Sequence, residues 1–135
     1  AGPGIAATHA SRGCAFGDVD NDGDIDIVVN NVNQTMDLYR HDRNNDNHWT
    51  TIQLAAGHCN RSAIGARVRI VAGGITQIDE VRSGGSYYSQ NDFRIHFGLG
   101  QANKIDLLEV RWPDGKMATH RDLAVDRIVK IEESK

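Results

Sequence analysis

The feature that most constrains this chain is a run of nine residues in which aspartate stands at every second position: Asp18, Asp20, Asp22, Asp24 and Asp26. Gly23 sits inside the run, and the β-branched residues Ile25, Ile27, Val28 and Val29 lead straight out of it. Five carboxylates this close repel one another unless a counter-charge joins them. A solvated acidic turn is the bland alternative, and it leaves the regular spacing unexplained. That spacing is what a hard, oxygen-seeking cation requires. Alternate side chains converge around a tight loop, a glycine takes the sharp turn, and a later acid closes the shell. The expected ligands are the side chains of Asp18, Asp20, Asp22 and Asp26 and the backbone carbonyl of Asp24. The expected ion is calcium.

The flanks decide what kind of loop this is. An EF-hand would place a bidentate glutamate at its twelfth position, which here is Val29, and a helix on either side. Residues 14–17 and 25–30 read instead as short strands. The stretch 12–31, with Phe16 and Gly17 before the acids and Ile25 to Val29 after them, resembles one calcium-binding repeat of the FG-GAP/VCBS type. The resemblance implies a loop joining two strands of a β-propeller blade, and upstream propeller repeats in a longer parent chain.

At 135 residues the chain holds one domain, or one domain and an appendage. Its net charge is −3, less than the loop aspartates alone carry, so the remainder is close to neutral. There is no basic stripe for nucleic acid and no polybasic tail for a membrane surface. No apolar run has the length of a transmembrane helix, so no membrane insertion is expected. The start, Ala1 to Gly4, is neither an initiator methionine nor a signal peptide and reads as a mature or excised segment. Cys14 and Cys59 allow one disulfide without requiring it, and Cys14 reads equally well as a small buried apolar residue. Location follows from the ion instead. A weak calcium site fills at extracellular calcium levels, which points to a secreted or cell-surface protein, extracellular or periplasmic.

Along the chain, residues 1–11 form an irregular lead-in, the acid repeat follows, and 36–39 is a short strand. The polar run 40–47 is the best boundary, dividing the chain into 1–46 and 47–135. Beyond it the pattern is all β. Residues 49–54, 67–72, 75–82, 93–97, 105–112, 117–120 and 127–132 read as strands. Val68, Ile70 and Ala72 share one face, as do Leu108, Val110 and Trp112. In the last strand the inner face is either Val129 with Ile131 or the alternative, Ile128. Gly73 and Gly74 signal a hairpin. The fold class is all-β, a sandwich or barrel of short antiparallel strands with an N-terminal calcium-loop β-hairpin as a partial propeller blade.

Asn47 to Trp49, Asn60 to Val68, Arg82 to Tyr87, Ser89 with Gln90, His96 to Gly100 and Val110 to Gly115 together resemble the ASPIC/UnbV domain. The resemblance covers roughly 47–132 in the right order and implies an extracellular role in binding or adhesion. It brings no known catalytic residue with it.

Other constellations carry little chemistry. The six histidines lack H-x-H or H-x-x-x-H spacing for zinc, and no G-x-S-x-G elbow supports a nucleophile. The arginines read as the outer faces of strands paired to acids. The best candidate ligand site is Arg82, Ser86, Tyr87, Tyr88 and Gln90, where aromatic faces meet polar edges in a glycine-rich stretch. Its competing reading is an ordinary hairpin bend whose serines satisfy their own backbone. The expectation is a non-catalytic, calcium-binding β-module for an extracellular glycan or protein. The alternative is a structural accessory of a larger secreted propeller protein or enzyme.

Overall fold

The computed structural model describes residues 8–42, 45–58 and 60–134. Cys59, part of the lead-in and part of the polar connector therefore lie outside the described residues. Among the described residues there are ten strands and no helix: β1 (Ser11–Gly17), β2 (Asp26–Asn31), β3 (Asp37–Tyr39), β4 (His48–Ala55), β5 (Arg67–Ala72), β6 (Ile75–Glu80), β7 (Ile95–Gly100), β8 (Lys104–Arg111), β9 (Met117–Ala124) and β10 (Arg127–Glu132). They form three sheets, ordered β1-β2-β3, β10-β4-β7 and β6-β5-β8-β9. The all-β expectation holds, and none of the sheets closes into a barrel. One pairing departs from the antiparallel pattern, because β10 runs parallel to β4. Side-chain alternation reports which face is buried and not which way a neighbour runs, so the sequence carried no sign of this.

The chain divides into two compact units, 1–43 with 83–92, and 44–82 with 93–135. The second unit is built in the ordinary way. β5 alternates as its sequence does, burying Val68, Ile70 and Ala72 between exposed or half-exposed neighbours. Ile52 and Leu54 from β4, Ile95, Phe97 and Leu99 from β7 and Ile105, Leu108 and Val110 from β8 join them in one core, closed by Ile131 and Trp112. Fully buried side chains of this size stabilise by about 1.5–3 kcal/mol each. Val129 packs half-buried against the same core, which selects the Val129 and Ile131 face of β10. The two sheets of this unit thus share one core, as in a sandwich.

The first unit is held differently. Its described apolar residues are all at least partly exposed, and the side chains it buries are those of Asp18, Asp24, Asp26 and Asn31. Asn31 accepts a hydrogen bond from the Ser11 hydroxyl at 2.7 Å and donates to the Thr35 carbonyl and the Asp37 carboxylate. A short three-stranded sheet with little apolar burial is thereby fastened through polar hubs.

Candidate metal centre

The acid run occupies the loop between β1 and β2, whose ends pair Gly17 with Asp26. Asn21 and Gly23 both have positive φ, 62° and 94°. The turn expected of Gly23 is therefore present, and Asn21 adopts a conformation that its short polar side chain tolerates. The Asp18 carboxylate is buried and accepts the backbone N–H groups of Asp22 and Gly23, each at 3.1 Å. Asp22 in turn accepts the N–H of Asp24 at 2.9 Å. The loop backbone thus points its donors at its own acids, which fixes their orientation.

One carboxylate oxygen each from Asp18, Asp20 and Asp22 lies within 4.8 Å of the others. Oxygens about 2.3–2.6 Å from a common calcium ion lie no more than about 5 Å apart, so this donor set fits such an ion. The loop acids divide at this point. Asp24 turns its carboxylate toward the His41 ring, 3.9 Å away. Asp26, 1% exposed, accepts the N–H of Val19 through one oxygen and that of His41 through the other, both at 2.9 Å.

Two further groups near the loop gave no signal in the sequence. The Arg40 guanidinium stands 3.6 Å from Asp20 and 2.6 Å from Asp42. Asp42 above all, then Asp20, pushes its pKa above the ordinary arginine value. Arg40 and His41 look like connector residues in sequence, and their approach to the loop depends on β3 returning beside β2.

The five residues singled out as a ligand site are distributed over both units. Arg82 pairs with Asp79 at 3.2 Å in the second unit. The others lie in 83–92, which belongs to the first. Ser86 and Ser89 bridge across a two-residue turn, with Tyr87 and Tyr88 at its tip. Both tyrosines face solvent, at 63% and 80% exposure, and their rings meet edge to face at 4.4 Å. Adjacent residues of a strand would face opposite ways, but a turn does not alternate. Gln90 spends its amide locally, accepting from the Gly84 N–H and donating to the Asn91 carbonyl.

Glu133 escaped sequence reasoning altogether. It lies just past β10 with its side chain buried, accepting the N–H groups of Gly57 and His58 at 2.8 and 3.1 Å.

Residues 56–135 match the family model described as "ASPIC and UnbV". The chain belongs to the ASPIC and UnbV family. The matched region begins within the stretch 47–132 that resembled this domain in sequence and runs past its end. It contains β5 to β10, Glu133 and the tyrosine turn. "Cartilage acidic protein 1" from Mus musculus is 27% identical over 97% of this ASPIC and UnbV chain and 21% of its own length. The proteins of the same name from Homo sapiens and Xenopus tropicalis are 28% and 29% identical, each over 87% of this chain and 18% and 19% of their own lengths. The chain spans about a fifth of the length of the relatives it matches.

Proposed function

We propose that residues 12–31 are a calcium-binding repeat of the FG-GAP/VCBS type, and that the chain is a non-catalytic module of an extracellular protein, engaging a glycan or protein ligand. The observation that carries the calcium reading is the convergence of the Asp18, Asp20 and Asp22 oxygens within 4.8 Å, with backbone donors holding Asp18 and Asp22 in place. Oxygen-only donors favour calcium, and magnesium is a poor substitute because it demands a tighter octahedral shell. The extracellular setting is supported by the ion, which fills a weak site only where calcium is abundant. It is also supported by relatives whose name places them in cartilage. Among described residues no helix is long and apolar enough to cross a membrane.

A second reading, a structural accessory of a larger secreted propeller protein or enzyme, is favoured by one observation. The loop-bearing unit leaves Phe16, Val19, Met36 and Leu38 exposed, apolar surface of the kind that neighbouring repeats would cover.

Calorimetric titration with calcium chloride tests the proposal. Binding of one ion by the chain, lost in Asp20→Ala and Asp22→Ala, supports it. A flat titration of the native sequence at millimolar calcium sinks it. An ion held at a hundredfold excess over Kd stabilises the fold by about 2.7 kcal/mol, so chelator should lower the melting temperature of the native chain and leave that of Asp22→Ala unmoved.

A further inference from the structure

Between β6 and β7 the chain leaves one compact unit, contributes residues 83–92 to the other, and returns. That excursion lies along the open edge of β1, whose opposite edge pairs with β2. The Asp92 N–H donates to the Phe16 carbonyl at 3.0 Å, and the Phe16 N–H donates to Asn91 Oδ1 at 3.1 Å. The Ser89 hydroxyl donates to the Cys14 carbonyl at 2.6 Å. Residues 14 and 16 share one edge of β1 by the two-residue period of a strand, so all three bonds use backbone groups that β2 leaves open.

Two glycines on β1 make room for this approach. A Cβ on Gly13 would stand 3.0 Å from the carbonyl oxygens of both Tyr87 and Tyr88, and one on Gly17 would stand 3.2 Å from the Asp92 side chain. Neither glycine has a positive φ. Close approach of the backbone therefore calls for them, not an unusual conformation. Residues 83–92 fall inside the region matched by the ASPIC and UnbV model, while β1 lies ahead of it.

We infer that residues 83–92 are a docking segment by which the ASPIC and UnbV region recognises the open edge of the strand ahead of the acid loop. The recognition is of the β-edge kind: β1 offers main-chain groups, 83–92 answers with the Asp92 N–H and the Asn91 and Ser89 side chains, and the two glycines supply selectivity. Gly84 and Gly85 bring no side chain, and Ser89 and Asn91 bring short polar ones that reach the β1 backbone. The inference stands whether or not the loop takes an ion.

Hydrogen exchange read by mass spectrometry on the full chain tests it. Gly13→Val should raise exchange in 83–92, with the Asp92 amide accelerated by at least about tenfold, and leave β4, β5 and β8 as protected as before. Unchanged exchange in 83–92 overturns the inference. Should Gly13→Val unfold the whole chain, Ser89→Ala carries the same test by deleting only the hydroxyl bond to Cys14. About fivefold faster exchange confined to 83–92 upholds the inference, and native rates there overturn it.

Discussion

The Asp26 carboxylate accepts the backbone N–H of His41 at 2.9 Å, binding the start of β2 to the residues that follow β3. Its other oxygen takes the N–H of Val19. Asp26 is thus a three-way fastener between loop, strand and exit, and it is buried. Asp26→Ala should cost about 2–4 kcal/mol in calcium-free urea denaturation, because two buried donors lose their acceptor. Asp20→Ala, measured identically, should be neutral or slightly stabilising, since it removes one of several repelling charges. Equal losses in the two variants would show that the Val19 and His41 donors do not depend on Asp26.

The Arg40 guanidinium beside Asp20 places a positive charge next to the proposed ion. Arg40→Met keeps most of the side-chain bulk and removes that charge. Calcium affinity should rise by roughly three- to tenfold, with the gain shrinking as salt screens the repulsion. Titrations at low and high ionic strength measure both effects. A weaker affinity in Arg40→Met would assign Arg40 to orienting Asp20 instead.

Glu133 holds the turn after β4 through the N–H groups of Gly57 and His58. Glu133→Ala should destabilise the fold by about 2–3 kcal/mol, and Glu133→Gln by less, since the amide oxygen can still accept. Chemical denaturation of both variants checks the order. A Glu133→Ala loss no greater than that of Glu132→Ala, which lies on the exposed face of β10, would contradict it.

The Asp114 carboxylate is held below its ordinary value of 3.8, first by the backbone N–H of Lys116 at 2.9 Å. A depressed carboxylate contributes stability that is present above its unfolded value and lost as pH falls through its folded one. A carbon-detected NMR titration should place the Asp114 midpoint below 3.8. Lys116→Ala should keep most of the depression, because the backbone donor remains. Full return to the ordinary value in that variant would make the lysine charge the cause.

Tyr87 and Tyr88 stand exposed at the tip of their turn. If they form the ligand surface, Tyr88→Ala should abolish capture on a glycan array run with calcium while changing stability by less than about 0.5 kcal/mol. Retained capture by Tyr88→Ala would move the ligand site elsewhere.

The parts of the molecule legible in sequence are those whose side chains carry the information. Val68, Ile70 and Ala72 announce a half-buried strand because burial has a period of two. The turn inside the acid loop is legible because Gly23 tolerates the positive φ it adopts there. The parallel pairing of β10 with β4 is a matter of backbone direction, about which side chains are silent. The same holds for 83–92, which meets main-chain groups of β1, so that its serines and glycines read as a bend. Glu133 stands among Glu132, Ser134 and Lys135 and looks like part of a solvated tail. Only the position of the turn after β4 makes it an internal acceptor.

The excursion of 83–92 bears on how such modules can be exchanged between proteins. A recombination point in the polar connector looks like a clean cassette boundary, yet it would carry away β1 to β3 and leave behind the segment that flanks β1. A sheet grafted in its place would have to offer two side-chain-free positions at the spacing of Gly13 and Gly17 to receive that segment. A transplant that keeps these contacts therefore has to carry β1 along with the family-matched region.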